Sequence, residues 1–187
     1  QSAAEALADV ETAVTFAPPH LSVYHLTLEL NTYFHRYPPQ LPDDDVTAQM
    51  QEALEARLAA AGYRHYETSA FALPGRQARH NMNYWTFADY LGIGAGAHSK
   101  LSFPDRIIRQ MRFRQPVQYM ERVTSGNAVH EEHEVPTRDI GFEFMMNALR
   151  LTNGFPLVLF EERAGIPLTA VLKELDEAEQ RGLITRD

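Results

Sequence analysis

The chain has no cysteine, a single tryptophan and a deficit of basic side chains: 17 Lys and Arg stand against 25 Asp and Glu, a formal charge of −8. Without cysteine, neither a disulfide framework nor a thiolate metal site can be built. An acidic chain does not offer the basic face that a general nucleic-acid or anionic-membrane binder needs, so no nucleic-acid partner is expected. Also missing are an apolar run long enough to cross a bilayer and an opening signal peptide, which makes a cytoplasmic location the expectation. What is present is ordinary globular material, 44% hydrophobic and 22% charged. The length suffices for one large or two small domains. Gln1 stands where an initiator Met is usual, and both ends read as cuts through a longer protein.

Apolar Ala3, Leu7, Val10 and Val14 share one face of a helix that opens with Gln1 and stops at Pro18-Pro19. Residues 20–30, HLSVYHLTLEL, read as a strand. A second helix follows, with Asp43–Asp45 at its positive end, a stripe of Val46, Met50, Leu54 and Leu58, and Gly62 as its stop. Residues 64–73 and 90–99 read as further strands, and this α/β order predicts parallel strands covered by helices. RIIRQMRFR (106–114) reads as a basic edge strand. Beyond it we expect a helix capped by Thr137, carrying Ile140, Phe144, Ala148 and Leu151 and ended by Asn153-Gly154. A helix, a tight turn, a second helix and a final strand over RGLITRD close the chain, with a boundary expected near 115–135.

The densest chemistry lies in RHNMNYWTFADYLGIGAGAHSK, residues 79–100. Gly92, Gly94 and Gly96 superficially match a dinucleotide fingerprint, but HSKLSFPD follows them where that motif requires a helix. They read equally as a tightly packed core strand or as a wall admitting a ligand, because glycine lets a backbone or ligand come close. His80-Asn81-Met82-Asn83-Tyr84-Trp85 reads as a connecting loop. His80 is a candidate ligand for a metal or haem iron, with Tyr84 and Trp85 as a flat apolar wall. The alternative is a histidine and aromatics that merely anchor a long loop. His130, His133 and Glu134 lack the HExxH spacing and read as a solvated acidic loop. The C-terminal helix–turn–helix carries Lys173 and Arg181 against Glu174, Asp176, Glu177 and Glu179, a charge that phosphate would repel. It reads as a structural or partner-docking module. Glu29, Asn31 and Thr32, and then His65, Glu67 and Ser69, are polar groups at strand ends that read as site-lining. No nucleophile triad is evident.

HLSVYHLTLELNT, GYRHYETSAFA, RHNMNYW and DYLGIGAGAHSK, in that order, resemble the oxygen-independent coproporphyrinogen III oxidase-like radical S-adenosylmethionine (radical SAM) proteins. The HNxxYW run, His80 to Trp85, points to their haem-chaperone (HemW-like) branch rather than the decarboxylating oxidase. The resemblance implies an α/β fold: the last strands and helices of a partial (β/α)6 barrel over 1–115, then a small, mainly helical domain with a winged-helix-like end over 116–187. It implies haem as the bound molecule, with His80, Asn81, Tyr84 and Trp85 at the barrel mouth, and an S-adenosylmethionine pocket bordered by Thr27, Ala97 and His98. The family's [4Fe–4S] cluster rests on cysteines of an upstream barrel half, so this chain alone holds no metal site and performs no radical chemistry. Ala78 and Ala95 stand where many relatives carry cysteine. Implied partners are the missing barrel half and membrane-associated haem proteins at the inner face of the membrane. Exposed barrel edges imply self-association.

Two rival functions remain at this point. In the oxidase branch, Arg106, Arg109, Arg112 and Arg114 would pair with porphyrin propionates. A winged-helix interaction module over 135–187 is the other.

Overall fold

Helix α1 (Ala3–Thr15) begins at a reciprocal cap: Ser2 Oγ accepts the Glu5 N–H while a Glu5 carboxylate oxygen accepts the Ser2 N–H at 2.7 Å. The computed structural model describes residues 2–186, so the expected start of this helix at Gln1 lies outside the described residues. By contact the chain divides into two units, residues 1–78 and 79–187.

In the first unit, α1 is followed by β1 (His20–Ser22), a single helical turn α2 (Tyr33–Arg36), α3 (Asp44–Ala60), β2 (Arg64–Glu67) and β3 (Ala70–Ala72). Asp43 caps α3, its Oδ1 accepting the Val46 N–H at 2.8 Å, and Asp44 and Asp45 lie in the first turn, the positive end expected for the aspartate run. Met50, Leu54 and Leu58 are buried against Ala6, Val10, Tyr63 and Phe71. Arg57 grips Glu11 across the two helices through two hydrogen bonds of 2.5 and 2.7 Å. The sheet order is β1-β3-β2, and every pairing is antiparallel.

Two expectations are corrected here. The strand read over 20–30 pairs only through Ser22, with Val23 adding one bond to the Ser69 carbonyl. Residues 64–73 are not one strand but a hairpin bent at Thr68-Ser69. The turn rests on two residues, Thr68 and Ser69, with no glycine or proline to mark it in the sequence.

The second unit comprises α4 (Arg79–Trp85), β4 (His98–Ser102), β5 (Ile107–Arg112), α5 (Pro116–Thr124), β6 (Val129–Glu134), α6 (Thr137–Ala148), α7 (Val158–Ala164), a 3₁₀ turn at Leu168–Ala170 and α8 (Leu172–Gln180). Its sheet order is β4-β5-β6, again antiparallel. The basic strand is therefore central, not at an edge. The segment read as an acidic loop is its neighbour β6, with Arg109 opposite His133, Gln110 opposite Glu132 and Met111 opposite Glu131. Across this pairing Gln110 Nε2 donates to Glu132 Oε2 at 2.6 Å. The β5–β6 pairing spans position 115–116, where the sequence reading divides the chain. Phe144 of α6 sits at the centre of the core, its ring 5.6, 5.3 and 5.1 Å from those of Phe87, Phe155 and Phe160. Residues 182–186 form a turn and irregular chain rather than the expected strand, and Asp187 lies outside the described residues. Arg186 is instead tied back to Asp176 and Glu179 of α8.

The molecule is thus mixed α/β, and the expectation of parallel strands is overturned in both sheets. Alternating helices and strands imply parallel pairing only when each strand finds the next across a helix. Here short hairpins satisfy the edges first.

Candidate functional site

HNMNYW is helical, contrary to the loop expected from its asparagines and aromatics. Its end explains why the helix escapes a propensity reading. The Ala88 N–H returns to the Asn83 carbonyl and the Phe87 N–H to the Tyr84 carbonyl, both at 2.9 Å, with Phe87 at φ 55°. This is the closure that glycine usually provides. Phe87 holds the left-handed position because its ring is buried, 2% exposed, in the core of the unit. Asn83 Nδ2 donates to the Asp89 carbonyl at 2.9 Å and Thr86 Oγ1 to the Met82 carbonyl at 2.7 Å, securing the exit.

Helical spacing sorts the four candidate haem residues into two pairs. His80 and Tyr84, one turn apart, share a face, with their rings perpendicular at 4.6 Å. His80 is exposed, and its imidazole makes no hydrogen bond among the described residues. Asn81 and Trp85 share the neighbouring face. The Arg150 guanidinium lies 4.3 Å over the Trp85 ring, and the Trp85 indole N–H is buried without an acceptor. So α4 offers one open donor, the His80 imidazole, beside an aromatic edge, while Trp85 is packed inward.

Beneath α4 is a polar knot that sequence reasoning missed. Lys100, 1% exposed, donates to the Phe87 carbonyl at 3.0 Å, Asp89 Oδ1 at 3.0 Å and Ser102 Oγ at 2.8 Å, and its ammonium lies 4.2 Å from the centre of the Phe87 ring. Burial pulls the Lys100 ammonium below its ordinary pKa, against the opposing pull of Asp89. Burial also works against ionisation of Asp89, yet hydrogen bonds from Ser102 and Lys100 outweigh it and hold that carboxyl below its ordinary value. A second connection runs through Arg109, which donates to the Tyr90 hydroxyl at 2.9 Å and to Glu143 Oε2 at 2.5 Å. Burial raises the Tyr90 phenol, offset in part by Arg109.

The glycine run is a loop rather than the expected strand; only Tyr90 bridges Lys100 before β4 begins at His98. The close approach expected of glycine does occur, at Gly92, and the partner is backbone: a Cβ there would meet the His98 carbonyl oxygen at 2.1 Å. Of the residues the family resemblance assigns to S-adenosylmethionine, Thr27 is exposed in the irregular stretch after β1, in the first unit. Ala97 and His98 enter β4 in the second unit, the Ala97 carbonyl accepting the Arg112 N–H at 2.8 Å.

The strand-end polar groups have structural duties. Thr32 Oγ1 donates to the Glu29 carbonyl at 2.7 Å, and Asn31 takes φ 64° in the same turn. The His65 ring stacks on Phe71 at 4.5 Å, and Glu67 is buried. His65 also lines a cavity of about 480 Å³ with His25, Gln51 and Glu55 of the same unit. Among the described residues no three His, Cys, Asp or Glu side chains converge on a metal position. With no cysteine in the chain, these residues do not fit an iron–sulfur cluster.

Comparison with known proteins gives the class first. Residues 135–187 match the HemN C-terminal domain. The chain is 46% identical over 186 residues to the heme chaperone HemW of Escherichia coli (strain K12), covering 99% of this chain and 48% of that protein. It is 44% identical over 188 residues to the Haemophilus influenzae heme chaperone HemW, covering 100% and 48%, and 32% identical to that of Bacillus subtilis, covering 94% and 47%. A solved structure of coproporphyrinogen III oxidase (HemN) from Escherichia coli, a radical SAM enzyme, matches 100% of this chain and 47% of that one. Its TM-score is 0.73 at 17% identity, a likeness of fold. The chain belongs to the family of the HemW proteins and carries the HemN C-terminal domain over its last part. It spans about half the length of the curated relatives it matches.

Proposed function

We propose that this chain is the portion of a radical SAM-family haem chaperone that carries the haem ligand, and that the haem is cargo rather than a resident cofactor. The observation carrying this reading is the exposed His80 imidazole on α4, held edge-to-face by Tyr84, in a chain similar over its length to haem chaperones. A neutral imidazole nitrogen donates its lone pair to ferric or ferrous iron. Delivery then exchanges one ligand for another: the His80–iron bond breaks as a ligand of the acceptor forms its own, and no electron need move. A single exposed ligand suits release.

The wider setting belongs to the same proposal. An upstream half that bears the cluster cysteines completes the partial (β/α)6 barrel of the whole protein, and the matched residues 135–187 form the appended domain. Ala97 and His98 of the second unit border S-adenosylmethionine in the whole protein, and Thr27 of the first unit is a separate candidate for that role. Asn81 and Trp85 support the haem face. The acceptors are haem proteins at the cytoplasmic side of the membrane.

The oxidase reading asks four arginines to hold propionates, and two of them, Arg109 and Arg112, are partly buried and engaged, while Arg106 and Arg114 are exposed. Arg109 serves Tyr90 and Glu143, Arg112 donates to the Gly92 carbonyl, Arg114 to the Met111 sulfur and Arg106 to Asp105. Titration of ferric haem followed at the Soret band tests the chaperone reading. Saturable one-site binding is expected, weakened about tenfold or more by His80→Ala, the equivalent of ~1.4 kcal/mol. Equal binding by both proteins overturns His80 as the ligand.

A further inference from the structure

His80 is the end of a chain of contacts that starts on α6. Glu143 accepts from Arg109 Nη2 at 2.5 Å, and Arg109 Nη1 donates to the Tyr90 hydroxyl at 2.9 Å. The Tyr90 ring meets that of Tyr84 at 4.5 Å and 63°, and Tyr84 meets His80 at 4.6 Å and 85°. Each link restricts the next. The Arg109 and Glu143 side chains are both mostly buried, so neither is free to swing away. The Tyr90 backbone is pinned by reciprocal 3.0 Å hydrogen bonds with Lys100. Tyr84 therefore rests on a phenol whose position is fixed at both ends. An exposed histidine otherwise samples several rotamers, and only some aim a ring nitrogen at a given iron.

We propose that Glu143 and Arg109 are positioning residues for His80. Through Tyr90 and Tyr84 they hold the imidazole in the orientation that accepts haem iron. The inference rests on the haem reading of α4 and assigns a role to the matched C-terminal domain, since Glu143 lies inside residues 135–187 and His80 outside them. Holding a ligand in its binding rotamer lowers the entropic cost of binding, and losing that hold weakens binding without touching the ligand itself.

The test is a double-mutant cycle on the intact protein, read by ferric-haem titration and by the resonance Raman or EPR signature of the iron. Glu143→Gln keeps the shape and removes the charge. Tyr90→Phe removes one hydroxyl and serves if Glu143→Gln fails to fold. Either change is expected to weaken haem binding about two- to tenfold, the range for loss of one hydrogen bond, and to raise the fraction of iron lacking the histidine signature. Glu143→Asp should restore part of the loss. In the His80→Ala background the same changes should have no further effect on binding. Equal effects with and without His80 would show a general structural role and overturn the proposal. So would unchanged affinity and spectrum in Glu143→Gln and Tyr90→Phe while His80→Ala still weakens binding. If His80→Ala itself binds haem normally, the underlying haem reading fails, a result separate from the other two.

Discussion

The backbones of Gly92 and His98 lie so close that a methyl group on Gly92 would sit 2.1 Å from the His98 carbonyl oxygen and 2.9 Å from its nitrogen. The Gly92 N–H donates to Ser99 Oγ at 2.9 Å, and its carbonyl accepts from Arg112 Nε at 3.2 Å, so the segment cannot drift outward without losing both. Gly92→Ala is expected to destabilise the protein by about 3 kcal/mol or more. Gly154, at φ 68° with nothing within 4 Å of its would-be Cβ, provides the contrast. Gly154→Ala should cost only the left-handed backbone penalty, ~1 kcal/mol. Urea denaturation of both variants checks the order.

Phe87 combines a left-handed backbone, φ 55°, with a ring buried in the core. Removing the ring costs about 3–5 kcal/mol. Alanine keeps the backbone strain while glycine relieves ~1 kcal/mol of it. Phe87→Gly should therefore be less destabilised than Phe87→Ala, the reverse of the usual order in a helix or core. Thermal melts of the two variants decide it.

Asp89 titrates below its ordinary value in the folded protein because hydrogen bonds from Ser102 and Lys100 overcome the cost of burying it. Between that folded value and the unfolded carboxylate value of about 3.9, the unfolded chain binds more protons, so stability falls as pH drops through this window. Asp89→Asn should flatten that acid limb. It should also lower Tm at neutral pH, since it leaves the buried Lys100 ammonium without its counter-charge. Melting temperatures from pH 2.5 to 7 test both; an unchanged acid limb counts against the assignment.

Around the first unit's irregular stretch, Tyr24, Leu30, Tyr33 and Phe34 are exposed, and β1 has a strand on one side only among the described residues. A large exposed apolar patch and an open edge favour pairing with another chain. The 187-residue chain should self-associate with rising concentration, and Leu30→Glu with Tyr33→Glu should shift it toward monomer. Sedimentation velocity over a range of concentrations measures this, and a monomer throughout for the unaltered chain would refute it.

The sequence by itself determined the long helices and the family. The stripe of Met50, Leu54 and Leu58, the aspartates at the positive end of α3 and the run Ile140, Phe144 and Ala148 all lie where the local pattern placed them. These signals are local, set by residues three or four apart on one chain segment. The four ordered motif blocks carried the kinship, since side chains of unusual type in fixed order survive any ambiguity of local structure. Tertiary structure alone decided strand direction, the central place of β5, and the helical state of α4. The β5 arginines look like a solvated edge until acidic β6, some twenty residues on, is brought alongside. The stop of α4 depends on Phe87 accepting a conformation normally left to glycine because its ring fills a core built by α6 and α7. His80 was legible as a candidate from its residue type. The contacts that orient it, Tyr84 to Tyr90 to Arg109 to Glu143, span 64 positions of sequence from His80 to Glu143 and exist only once the sheet and α6 are packed together.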